Sequence, residues 1–200
     1  MPPTEHGRVL LPMARSAIAG AVGQAGAPSR PAATAPWLQA PGATFVTLTQ
    51  RGQLRGCIGT LEAHRPLHQD VEANAVAAAL RDPRFAPLQV RELAWTEIEV
   101  SLLSVREALA FHSEDDALAQ LRPGVDGVVF QFDRFRSTFL PQVWEQLPDV
   151  TGFMAHLKQK AGLPANFWSA QVRLERYTVT KWKESDFPAP QNESPKQEAA

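Results

Sequence analysis

Cysteine is nearly missing from this chain: of 200 residues only Cys57 carries a thiol. An intramolecular disulfide is therefore excluded, and with it the disulfide framework of small secreted domains. Long apolar runs are missing too. No stretch approaches the roughly 18 consecutive apolar residues that read as a membrane-spanning helix. Met1 to Gly7 lack the basic start and apolar stretch of a signal peptide. Charge of one sign is not in excess either, with 20 Lys and Arg against 21 Asp and Glu. That balance gives no electrostatic reason to expect nucleic acid or an anionic membrane as the main partner. The Gly-x-Ser-x-Gly elbow, the phosphate loop and the dinucleotide fingerprint are all absent. A soluble, cytoplasmic protein is the simplest reading.

What is present suits one compact domain, or one domain of two lobes: 44% of the residues are apolar, enough for a real core. Residues 8–22 place Leu10, Ala14, Ala17, Ile18 and Ala21 at helical spacing. Pro12 predicts that this helix starts close to it, because a proline has no backbone hydrogen to donate. Residues 1–7 read as a tail. Residues 23–36 offer no face to bury and read as a loop or linker. Residues 43–49 and 54–61 are strands of a hairpin turned at Arg51-Gly52-Gln53, with glycines that mark a bulge or a close backbone approach.

Pro66 opens a helix that runs to Leu80, with Leu67, Val71, Ala75 and Ala78 on one stripe; Asp82-Pro83 stops it. Residues 95–104 alternate as a half-buried strand. Ser113 with Asp116 caps a short helix over 114–122. A strand pair follows at 128–132 and 137–140, then a helical turn at 141–147 and a helix over 150–161 ended by Gly162. Residues 169–181 read as one long last strand, and 184–200 as a disordered tail. Helices scattered among hairpins predict an α+β fold with a mainly antiparallel sheet flanked by helices.

Candidate chemistry gathers at residues 54–59. Strict alternation would put Arg55 and Cys57 on one strand face, where the guanidinium would activate the thiol. Gly56 and Gly59 would then give a ligand room to approach. The competing reading makes Cys57 a small buried hydrophobe. Arg55 and Arg84 can each hold a carboxylate or phosphate with a guanidinium fork, or can serve in a structural ion pair, for instance with Asp82. His64 and His68 lie four apart, but Pro66 between them argues against a shared face, so no metal site is predicted and no cofactor. Glu97 and Glu99 project together from one strand and read as solvated.

The run Leu54-Arg55-Gly56-Cys57-Ile58-Gly59 resembles the signature hexapeptide of the AMMECR domain family. Phe45-Val46-Thr47-Leu48, Asp82-Pro83-Arg84-Phe85, Pro87-Leu88, Glu92-Leu93, Ser101-Leu102-Leu103-Ser104 and Lys160-Ala161-Gly162 support it in order. Gly124-Val125-Asp126-Gly127 and Thr138-Phe139-Leu140-Pro141-Gln142-Val143-Trp144 are similar to bacterial members. The resemblance covers about residues 8–183. It implies a single domain with a larger lobe of antiparallel sheet and helices, a smaller lobe, and a cleft near the hexapeptide. It also implies a three-part bacterial system, AmmeMemoRadiSam, whose other members are a Memo-type protein and a radical S-adenosylmethionine (SAM) enzyme.

Two functions follow as expectations. In the first, the chain is an enzyme or enzyme component that takes a small anionic or peptide-like substrate. Cys57 would then be nucleophile or redox thiol, with Arg55 and Asp126 as catalytic partners and Gly56, Gly59, Arg84 and Phe85 as ligand-binding residues. Eukaryotic and archaeal members often carry His at the position of Asp126, which weakens a catalytic role there, since the working pH of the two groups differs. In the second, the chain is a non-catalytic module that binds a ligand or docks onto the two partners.

Overall fold

In the computed structural model, residues 3–26 and 32–187 are described. Helix α1 (Pro3–Ala21) runs through Pro12 rather than starting at it. Leu10, Leu11, Met13, Ala14 and Ile18 are buried, while Pro12 faces solvent. Burial of the stripe outweighs the one backbone hydrogen bond that the proline removes. The expected tail at 1–7 is thereby corrected, because the helix already includes residues 3–7. Gly7 lies so close to Trp182 that a Cβ there would come within 2.6 Å of its ring. In the expected loop over 23–36, residues 27–31 lie outside the described residues, and the short helix α2 (Pro36–Gln39) begins at Pro36.

The hairpin forms as β1 (Thr44–Gln50) and β2 (Gln53–Gly59). Its turn has Arg51 and Gly52 at φ 52° and 77°, the left-handed pair that matches the twist of a hairpin. Helix α3 (Leu67–Leu80) buries the predicted stripe of Leu67, Val71, Ala75 and Ala78. It packs with α1 on the sheet face that carries Val46, Leu48, Ile98 and Val100. Strand β3 (Thr96–Leu103) pairs with β1.

The chain then builds a second lobe from β4 (Glu107–Ala108), α4 (Glu114–Ala119), β5 (Gly127–Phe132), β6 (Phe135–Phe139), α5 (Val150–Lys160) and β7 (Arg173–Tyr177). Ser113 caps α4 as predicted, its Oγ accepting from the Asp116 N–H at 3.2 Å. The strand order is β4-β7-β5-β6, all antiparallel. Its separate core centres on Phe130, Trp144, Phe153 and Leu157, with the Trp144 and Phe153 rings stacked 3.7 Å apart.

The single last strand expected over 169–181 is two strands in two sheets. β7 ends at Tyr177, and β8 (Val179–Lys183) returns to the first lobe to complete the order β2-β1-β3-β8. Thr178 is the crossing point: its N–H donates to Ser104 Oγ at 3.0 Å, and its carbonyl accepts from the Ser104 N–H at 2.9 Å. A small cluster of Ala43, Leu103, Val129 and Tyr177 joins the lobes, with Phe45, Leu140 and Val179 around it.

The tail expected over 184–200 is corrected at its first residues. Glu184–Asp186 form a 3₁₀ turn in which Glu184 pairs with Arg15 and accepts from the Ile98 N–H at 2.9 Å. Residues 188–200 lie outside the described residues. The fold is α+β, built on two four-stranded antiparallel sheets. Among the described residues no helix is long and apolar enough to cross a membrane.

Candidate functional site

β2 is an edge strand, and its register decides what each hexapeptide residue meets. Gly56 lies opposite Leu48 and Ile58 opposite Val46, so both face α3. Cys57 lies opposite Thr47 and Gly59 opposite Phe45, on the other face. The room expected at the two glycines is filled by the protein itself. A Cβ on Gly56 would lie 2.2 Å from the Ala78 carbonyl oxygen of α3. One on Gly59 would lie 2.2 Å from the Phe45 ring.

The register slips by one residue between Leu48 and Thr49, so that Thr49 pairs with Leu54 and Arg55 is left as a bulge. This slip breaks the alternation that would have put Arg55 beside Cys57. Arg55 turns instead to Glu92, donating from Nε at 3.0 Å and from Nη2 at 3.3 Å. Glu92 also accepts from Gln50 Nε2 at 3.2 Å, and Gln50 continues the face of Val46 and Leu48. Burial alone would raise the Glu92 carboxyl. Its bonds from Arg55, the Gln89 N–H and Gln50 outweigh that and hold it below the ordinary range.

Cys57 is half-buried, and its Sγ accepts from the Thr47 hydroxyl at 3.3 Å. Its backbone points off the sheet edge and is capped by the loop after α3. The Cys57 N–H donates to Asp82 Oδ2 at 2.8 Å, and Arg84 Nη2 donates to the Cys57 carbonyl at 3.3 Å. Arg84 also grips Asp82 with its fork, at 2.9 and 2.7 Å. That grip is the main reason the Asp82 carboxyl sits far below its ordinary range, since burial pushes the other way. Phe85 has the Arg84 and Arg55 guanidinium groups 5.5 and 6.0 Å from its ring centre. The motif read as a helix stop and a rigid turn is thus also an edge cap. Asp82 and Arg84 satisfy the peptide groups that a fifth strand would otherwise pair.

Asp126 is not brought to Cys57. It is fully buried in the second lobe, where it accepts from the Arg122 N–H at 2.9 Å and from Arg122 Nη2 at 2.6 Å. Its carbonyl accepts from Trp144 Nε1 at 2.7 Å. The side chain locks the 122–126 turn, so the expected catalytic trio of Cys57, Arg55 and Asp126 is not assembled. His68 Nδ1 lies 3.0 Å from the Leu38 carbonyl. Among the described residues no group of three His, Cys, Asp or Glu side chains gathers to hold a metal.

Alternation across the pairings places Cys57, Thr47, Glu99 and Lys183 in one row on the sheet face away from α3. Lys183 and Lys181 lie 3.7 and 3.9 Å from the Glu99 carboxylate. Near Lys181 the face meets a cavity of about 590 Å³ lined by Pro123, Val125, Trp144, Pro148 and Val179. The structural ion pair expected of Asp82 forms with Arg84. Sequence reading missed Thr47 and Glu92 as partners of the hexapeptide and Asp82 as the acceptor of the Cys57 N–H, because each contact depends on register or on a loop folding back.

The sequence model of the AMMECR1 family matches residues 11–182. The chain belongs to the AMMECR1 family. Its relatives include Protein MJ0810 of Methanocaldococcus jannaschii, 36% identical over 134 residues, which span 66% of this chain and 67% of that protein. A protein of Thermofilum pendens is 33% identical over 175 residues, 82% of each chain. Among solved structures, the uncharacterized protein PH0010 from Pyrococcus horikoshii superposes with a TM-score of 0.72 at 29% identity. That match covers 90% of this chain and 91% of that one. In this member of the family the hexapeptide is a capped sheet edge, with Gly56 and Ile58 facing α3 and Cys57 and Gly59 on the opposite face.

Proposed function

We propose that this AMMECR1-family protein is a binding component rather than a thiol catalyst. The face carrying the row Cys57, Thr47, Glu99 and Lys183, with the cavity beside it, receives an extended peptide-like segment of a partner protein. The observation that carries this reading is the commitment of both arginines: Arg55 is held by Glu92 and Arg84 by Asp82, so neither is spent on the thiol. Exposed Val125 adds apolar surface at the cavity beside that face. By family resemblance the partners are the Memo-type protein and the radical SAM enzyme.

The test is binding of the purified full chain to each of those two proteins at micromolar concentration. Binding by one of them that Glu99→Arg and Thr47→Arg abolish, with melting curves unchanged, is the expected result. Absence of binding to both, or binding that ignores the two substitutions, overturns the reading.

A second reading rests on the Thr47 hydroxyl, which donates to Cys57 Sγ and would steady a thiolate. Alkylation decides between them. Labelling of Cys57 faster in the native chain than in the urea-unfolded chain favours thiol chemistry, and slower native labelling favours the docking face.

A further inference from the structure

We infer that a second groove between the lobes, beside Glu62, binds a small phosphate-bearing anion. Glu62 lies in the loop that leaves β2. Two cations of the second lobe contact it, Arg106 before β4 and Arg136 on β6, and Lys160 at the end of α5 lines the same cavity. Together with His64, Ser137 and Thr138 they line a cavity of about 440 Å³, a volume that suits a small molecule.

The donors there outnumber what the protein's own acceptors use. Arg136 Nη1 pairs with Glu62 Oε1. Arg106 Nη1 lies 3.5 Å from Glu62 and 3.7 Å from Glu175, and its Nη2 donates to the Leu61 carbonyl at 2.6 Å. Lys160 Nζ donates to the Thr138 carbonyl at 2.9 Å and stands over the Phe139 ring at 5.0 Å. A guanidinium offers five N–H donors and an ammonium three. One carboxylate, Glu62, therefore stands among three positive charges in the cavity lining, while Glu175 approaches Arg106 from outside that lining.

The residue types fit phosphate: a planar fork for two oxygens and a flexible point charge for a third. Glu62 sits as an internal carboxylate on the same guanidinium that a bound anion would use. Its carboxyl is held below the ordinary range, chiefly by Arg136, with Arg106 helping and burial opposing. The carboxylate preorganises the arginines and competes with the ligand. Because Arg136 and Glu62 keep side-chain exposures of 41% and 45%, water screens the contacts, and a roughly millimolar dissociation constant is the natural scale for free phosphate.

The experiment titrates the isotope-labelled full chain with inorganic phosphate at constant ionic strength, following the backbone amides of Leu61, Glu62, Ser137 and Thr138. The expected result is a saturable shift that Lys160→Ala and Arg136→Ala weaken about tenfold each and Glu62→Gln tightens several-fold. The opposite response of Glu62→Gln is what a purely structural latch between the lobes cannot produce. If Arg136→Ala does not fold, Arg136→Lys and Lys160→Ala carry the decision. Shifts that do not saturate by about 50 mM, saturable shifts that the cation variants leave unchanged, or loss of binding in Glu62→Gln would each overturn the site.

Discussion

A single methyl group reports on how Gly56 is used. The atom it would strike is the backbone oxygen of Ala78, and the strand and helix on either side are both fixed by their own hydrogen bonds. Neither can rotate away as a side-chain tip would, so Gly56→Ala has to push α3 off the sheet. Overpacking of this kind costs about 1–3 kcal/mol, and more where backbone must move. Gly20→Ala is the control, since an added Cβ there meets nothing within 4 Å and alanine gains about 1 kcal/mol over glycine inside a helix. Urea unfolding should show a clear drop in midpoint for Gly56→Ala and none for Gly20→Ala. Equal stability of Gly56→Ala and the unaltered chain would mean that the glycine is kept for something other than the fit of α3.

At the scale of elements, the edge of β2 depends on one carboxylate. Asp82 accepts from Cys57 and Arg84 together, and its carboxyl is pulled far below the value of about 3.9 that it has in an unfolded chain. The folded state therefore binds fewer protons than the unfolded one, so the contribution is complete above the unfolded value and drains as pH falls toward the folded one. Urea unfolding at a series of pH values should show the unaltered chain losing stability from about pH 5 down to about pH 2 more steeply than Asp82→Asn. Parallel curves would remove Asp82 from the edge cap. This cap also shows how far the sequence could be read. The hairpin, the α3 stripe and the alternation of β3 are periodic and local, and they form where expected. The hexapeptide was legible as a feature, but its geometry was not. The glycines marked a bulge or a close backbone approach, and both occur, but residue type does not say at which position the register slips, and the slip at Arg55 moves the guanidinium from the thiol to Glu92. Pro12 misled for a related reason, because its helix is held by tertiary burial that outweighs local preference. The strand over 169–181 misled because the crossing at Thr178 takes a single residue.

For the whole molecule the question is what makes two cores behave as one. Each lobe has its own buried cluster, and the chain passes between them around Ser104 and Thr178. Tyr177 is the largest side chain of the joining cluster, and it is 3% exposed. Its ring covers Gly127, where a Cβ would come within 2.4 Å, and its hydroxyl donates to the Phe139 carbonyl at 3.1 Å. Burial pushes its phenol above the ordinary range, with the Thr138 bond opposing. Truncating so large a buried aromatic costs about 3–5 kcal/mol. Here the loss falls on the junction, because neither main cluster includes Tyr177. The unaltered chain should unfold in one transition by far-ultraviolet circular dichroism and by tryptophan fluorescence. In Tyr177→Ala the two probes should separate, since the tryptophans are divided between the lobes and coincidence of probes is the mark of a single cooperative unit. Coincident curves in Tyr177→Ala, merely shifted to lower urea, would mean that the sheet crossing alone couples the lobes. The two lobes would then keep their relative position without this cluster.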